Sequence, residues 1–195
     1  MARLAPLTEP FPAEAAIVLE KMTFGMKTPL ALFRTLAHNP RVLDRIRLGG
    51  LLDKGSISLR QRELMILRTC ALCKAEYEWG VHVKIFQPHT GMDEAQIADT
   101  AATGTDPALW SGDENLILAL ADALHARAAV DDALYAHLRQ AFNNEQLLEL
   151  VVLAGFYHTI SFVIGAFTID NEPDTPRYMQ PKAIPIITGV KKVHE

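Results

Sequence analysis

The chain has 195 residues, 49% of them hydrophobic and 22% charged, enough to bury one substantial core without division into several domains. A formal net charge of -4 without any run of Lys or Arg leaves no electrostatic footprint for nucleic acid. The eleven glycines are scattered, and none forms G-x-G-x-x-G or G-x-x-x-x-G-K, so phosphate-cradling nucleotide chemistry is not indicated and no cofactor is expected.

The N-terminal stretch MARLAPLTEPFPAE carries a lone Arg3, then two Glu and three Pro, which interrupts the apolar core a secretory signal needs, so the protein is expected to be cytoplasmic. Beyond it, apolar residues recur at spacings of three and four, and no stretch alternates over strand length. The fold class is therefore all-α. Helices are predicted over 13–23, 29–37, 40–52, 59–73, 75–87, 93–101, 113–126, 131–141 and 144–169. Pro29 and Pro40 each fit a first helical turn after Thr28 and Asn39. Pro88 closes a helix with Gly91 just beyond, while Asp113, Asp131 and Asn144 suit N-terminal caps. The loop TGTDPALWSG (103–112) could cover a site.

Residues 150–169, LVVLAGFYHTISFVIGAFTI, run without a formal charge and are long enough to span a bilayer. Against a membrane stand His158, Thr159 and Ser161 in mid-segment and the lack of flanking basic clusters. A helix apolar all round also suits the centre of a core or an oligomer interface. Residues 171–195 hold Pro173, Pro176, Pro181 and Pro185 together with Tyr178, Met179 and IPII, so an extended arm is expected there, following a single helical domain over 1–170.

The charged groups most in need of a chemical reason are Glu63, Glu78 and His82. On a 3.6-residue helix, Glu63 shares a face with Leu59, Ile66, Leu67 and Cys70, which makes it an acid inside an apolar stripe. Glu78 and His82 share a face with Ala75, Trp79, Ile85 and Phe86 and, four apart, can touch. Burial raises a carboxyl pKa and a nearby imidazolium lowers it, so such a cluster could hold a proton donor and an acceptor near neutrality. The plainer alternative pairs Glu63 with Arg60 and leaves Glu78 and His82 as a solvated helix pair, worth roughly 0.2–0.5 kcal/mol. The remaining histidines show no ligand interval: His82 and His89 are seven apart, His125 and His137 twelve, and no metal site is expected. His158, beside Tyr157 in the apolar segment, stands out from them.

Cys70 and Cys73 form C-x-x-C, which invites a dithiol reading. In a regular helix, Cβ atoms three apart are roughly 5–6 Å from each other, whereas a disulfide needs about 3.5–4.5 Å. The pair also lies late in its helix, away from the N-terminal dipole that stabilises thiolate. Two small apolar cysteines in a core remain the alternative.

The run RQRELMILRTCALCKAEYEWGVHVKIFQPHTGMDEAQI resembles the carboxymuconolactone decarboxylase and alkylhydroperoxidase D-like superfamily through its Arg-x-x-Glu start, its Tyr-Glu-Trp-x-x-His centre and its Gly-x-x-x-x-x-Ile close. The likeness covers about residues 55–100 and is weaker through ELVVLAGFY. It implies an all-helical bundle, assembled as a homo-oligomer (trimer or hexamer), with a proton-relay site between central helices. In the peroxidase branch a Glu precedes Cys-x-x-Cys-x-x-x-His. Aligned on His82, the acid falls on Glu63, and the two thiol positions fall on Ala75 and Glu78. Cys70 and Cys73 lie five residues too early, a displacement of about 140° around a helix. The resemblance thus implies a decarboxylase-like enzyme acting on a small organic acid, lactone or carbonyl compound, with Glu63, Glu78 and His82 moving protons. Trp79, Phe86, Tyr157 and His158 would line the substrate site. The alternatives are a thiol peroxidase using Cys70 and Cys73, and a non-catalytic ligand-binding oligomer. A small-molecule substrate is the expected partner, with neither nucleic acid nor membrane.

Overall fold

A computed structural model describes residues 2–178, and within them the chain forms nine α-helices and no strand. They are α1 (Ala13–Leu19), α2 (Ala31–Leu36), α3 (Pro40–Gly49), α4 (Leu59–Leu72), α5 (Glu76–Thr90), α6 (Glu94–Thr100), α7 (Gly112–Arg127), α8 (Asp132–Ala141) and α9 (Asn144–Phe167), with single 3₁₀ turns at Glu20–Met22 and Pro107–Leu109. The core is built around α4, which packs on α5, α7 and α9 and is buried continuously from Arg62 to Cys70.

Local chemistry fixes the ends of α4. Ser58 and Gln61 form a reciprocal capping box at its start. At its end, Lys74 adopts a left-handed conformation (φ 57°), the Lys74 N–H donates to the Ala71 carbonyl (3.0 Å) and the Ala75 N–H to the Cys70 carbonyl (2.8 Å). This is a Schellman turn, with Lys74 in the place glycine usually takes. It reverses the chain into α5, so the two helices run antiparallel and the early part of α4 faces the middle of α5.

Several ends differ from the sequence expectation, each for a local reason. Pro29 does not open α2. That helix starts at Ala31, whose N–H is met by the Glu172 carboxylate, so an acid from the C-terminal segment serves as its cap. Pro40 does follow an Asn39 cap, and Asp131 caps α8. Pro88 lies inside α5, and the helix ends only where Gly91 turns left-handed (φ 69°). Ser111 and Asn143, each one or two residues earlier than expected, cap α7 and α9 in boxes with Glu114 and Gln146.

α9 is, among the described residues, the helix long and apolar enough to cross a bilayer by length and composition. Its inner stripe, with Leu150, Leu153, Ala154, Tyr157, Ile160 and Ile164, is buried against the core, and Leu148, Val152 and Phe162 are exposed on the other side. After α9 the chain is non-helical to Tyr178 and lies along α5. The Tyr77 hydroxyl donates to Glu172 (2.7 Å), Lys84 donates to the Pro173 carbonyl (3.1 Å), and Arg177 pairs with Glu76 (2.6 Å). The expected IPII portion of the arm lies outside the described residues.

Candidate functional site

The hairpin of α4 and α5 brings Glu63 and His82 together in the core, 1% and 3% exposed. The His82 Nδ1–H donates to Glu63 Oε2 at 2.7 Å. The other carboxylate oxygen of Glu63 receives the Arg62 guanidinium, with Nε at 2.9 Å and a terminal nitrogen at 2.8 Å. Arg62 also donates to the Leu52 carbonyl (2.7 Å) and lies over the Phe86 ring, 5.0 Å from its centroid. The expected alternative of a Glu63–Arg60 pair is not what forms. Arg60 reaches Glu114 instead, because its side chain leaves α4 toward α7.

Glu78, one turn before His82, places Oε1 3.4 Å from His82 Nε2. Its Oε2 is buried and has no hydrogen-bond partner among the described residues. Such an atom is costly to bury without a function or a bound group to explain it. Burial by itself pushes the His82 pKa down, but the charge of Glu63 and hydrogen bonds from both acids outweigh it and bring it up to about 9. At neutral pH the ring is therefore an imidazolium held between two carboxylates. Tyr157 meets this ring edge-on at 5.0 Å and Phe86 packs on it at 5.2 Å. Burial, then the neighbouring Glu78 and Glu63, raises the Tyr157 pKa well above its ordinary value, so the phenol stays neutral.

A cavity of about 240 Å³ opens beside the cluster, and Glu78 is its acid. Apolar side chains, among them Leu32, Phe33 and Tyr157, form its walls, and Lys21 and Arg47 also line it. This is smaller than the ~300–1,000 Å³ typical of drug-sized ligands and suits a small molecule.

Three residues expected in this lining sit elsewhere. Phe86 packs on the His82 ring and under the Arg62 guanidinium, and does not reach the cavity. Trp79, rotated about 100° from Glu78 on the helix, donates its indole N–H to Thr100 Oγ1 (3.0 Å) and meets Tyr178 edge-on at 5.0 Å. It faces a separate groove, with Val83, Arg177 and Tyr178. His158 follows Tyr157 by one residue and so points away from the cavity, toward His125 on α7 and Cys73 at the end of α4. No spacing in the sequence marks this second cluster, because its members come from three helices.

Cys70 and Cys73 are free thiols. Burial, then the Glu78 charge, raises Cys70 well above the ordinary thiol range, and burial raises Cys73 although Ser161 partly offsets it. Both conditions disfavour thiolate.

Comparisons with known proteins agree with this architecture. Residues 40–123 match the carboxymuconolactone decarboxylase family. A peroxidase-related protein from Silicibacter sp. TM1040 superposes with a TM-score of 0.71 at 17% identity, covering 90% of this chain and 92% of its own. An alkylhydroperoxidase AhpD core protein from Ralstonia eutropha JMP134 gives 0.74 at 15% identity, covering 87% and 93%. The debrominase Bmp8 in complex with 2,3,4-tribromopyrrole gives 0.71 at 15% identity, covering 87% and 91%. No curated protein matches by sequence. The α4–α5 hairpin with its buried Glu63–His82 pair lies within the matched region, and the fold of the chain is the all-helical one shared with these AhpD-like structures.

Proposed function

We propose that this protein is an acid-base enzyme acting on a small organic acid, lactone or related carbonyl compound, with Glu78, His82 and Glu63 as its proton relay. The observation that carries this reading is Glu78, which lines a small, largely apolar cavity and whose buried Oε2 has no partner among the described residues, backed by an imidazolium whose far nitrogen is held by Glu63. Glu78 is the group positioned to take a proton from a substrate carbon next to a carbonyl, or to return one. His82, already protonated, donates its Nε2–H toward Glu78, steadying that carboxylate and supplying the proton Glu78 delivers when it acts as an acid, and Glu63, fixed by Arg62, keeps the ring oriented and balances its charge. Lys21 and Arg47 give the cavity a cationic side toward which a substrate carboxylate would turn, although Arg47 is also bridged to Asp44 (3.0 Å).

Proton abstraction can be followed whatever the complete reaction is. A panel of small oxo acids and lactone acids is incubated with the protein in D₂O, and exchange of the hydrogens next to the carbonyl is followed by proton NMR. Exchange of at least one compound is expected, slowed by roughly 10²- to 10⁴-fold in Glu78→Gln, Glu63→Gln and His82→Ala, the range for general acid-base groups. Exchange that persists unchanged in all three variants, or that no compound undergoes, rejects the relay.

The fold likeness to peroxidase-related proteins supports a second reading, a thiol peroxidase using Cys70 and Cys73. It requires both thiols to be consumed reversibly by mild peroxide, which thiol titration measures. Their upward-shifted pKa values weigh against it.

A further inference from the structure

Away from the cavity, the end of α4, the last turns of α7 and the middle of α9 bring three metal-ligating side chains to one point. Cys73 Sγ lies 3.7 Å from His125 Nδ1, and His125 Nδ1 lies 3.1 Å from His158 Nε2. All three ligand atoms fall within 4.8 Å of one another. Zinc bound tetrahedrally, with Zn–S of about 2.3 Å and Zn–N of about 2.0–2.1 Å, would hold a sulfur and a nitrogen about 3.6 Å apart and two nitrogens about 3.3–3.4 Å apart. The two measured edges are each within a few tenths of an ångström of those values.

The surroundings are built to aim the ligands. His158 Nδ1–H donates to the Ala154 carbonyl one turn back (2.9 Å), which turns the Nε2 lone pair toward the cluster. A ring nitrogen tied to a backbone carbonyl is the usual second shell of a metal-binding histidine. The Schellman turn pins Cys73 at the end of α4. His125 is exposed and Cys73 and His158 are half-buried, so an ion can enter from solvent without rearrangement of the core.

We propose that Cys73, His125 and His158 form a site for a zinc-class divalent ion, with three protein ligands and the fourth position open to water. A thiolate with two imidazoles suits borderline ions of this kind and not magnesium or calcium, which take oxygen ligands. Bound there, the ion joins α4, α7 and α9 and stabilises the folded chain by mass action.

The experiment uses the full chain, untagged and reduced, titrated with Co²⁺ as a spectroscopic substitute for Zn²⁺. One equivalent is expected to produce a thiolate-to-metal charge-transfer band that Zn²⁺ then abolishes. Cys73→Ser is expected to lose the band. His158→Gln is expected to weaken binding by more than the roughly 10- to 100-fold caused by removing an outer-shell partner. Cys70→Ser is expected to keep both band and affinity. In parallel, Zn²⁺ should protect Cys73 from alkylation, read by mass spectrometry on the unmutated chain, so the result does not depend on any variant folding. Failure to form the band, its persistence in Cys73→Ser, undiminished affinity in His158→Gln, or alkylation of Cys73 at the same rate with and without Zn²⁺ overturns the site.

Discussion

His82 holds its proton between two acids, and this ties the stability of the fold to pH in a definite direction. Its pKa in the folded chain is raised from 6.5 to about 9, so the folded state gains from protonation that the unfolded state lacks. That contribution is complete below about pH 6.5 and is lost as pH rises through about 9. The melting temperature is therefore expected to fall across this window, and the fall should be shallower in His82→Gln. Parallel curves for the two proteins would mean that His82 titrates alike folded and unfolded. That Glu63 and His82 are buried is legible from helical periodicity, since both sit on apolar stripes, whereas their meeting is expected only from the family resemblance. Arg62 as the partner of Glu63 is not legible, because it is the adjacent residue and only a side chain folded back along the helix reaches that carboxylate. Trp79 and His158 leave the cavity that Glu78 and Tyr157 line for a related reason. One step along a helix turns a side chain about 100°, enough to move it from one lining to the next.

At the scale of the element, α5 depends on a close approach that its sequence marks with a glycine. A Cβ placed on Gly80 would lie 2.5 Å from the Pro176 carbonyl oxygen and 3.2 Å from Thr175 Cβ. Alanine favours helix by about 1 kcal/mol over glycine, yet here the backbone of the C-terminal segment occupies the space. Gly80→Ala is expected to lift residues 175–178 from α5 while the bundle stays folded. The readout is the Trp79 fluorescence, which should shift as Tyr178 leaves the indole and water reaches it. Unchanged emission would show that the segment accommodates the methyl. Helix existence and order are readable from the three-four apolar spacing, whereas ends are set by partners distant in sequence. Glu172 capping α2 is the clearest instance, a contact across the fold that no local pattern announces.

At the scale of the whole molecule, the outer side of α9 presents Leu148, Val152 and Phe162 to solvent, 67%, 53% and 68% exposed. These residues lie along one helix face, and contiguous apolar surface of this kind marks an interaction site. The family resemblance implies assembly with copies of the same chain, and we propose that a second copy covers this face. Val152→Glu with Phe162→Glu is expected to reduce the particle mass in sedimentation equilibrium, and an unchanged mass would reject this face as a contact between copies. The apolarity of this segment is plain in the sequence, but a bilayer span, a buried helix and an interface share that composition. Its packing on α4 decides which side is core.

The three-residue reversal between α4 and α5 acts as a calibrated spacer. Glu63 and His82 meet across 19 positions of chain because the turn at Cys73–Ala75 is closed by its own backbone bonds. Adding or deleting one residue there would swing everything after it by about 100° and carry the imidazole off its acid. Exchanging side chains inside the span leaves that alignment intact. Positions 75 and 78, where the resemblance to the peroxidase branch would put two thiols, can therefore carry alanine and glutamate within an unaltered frame, and chemistry can be rewritten in this hairpin by substitution but not by insertion.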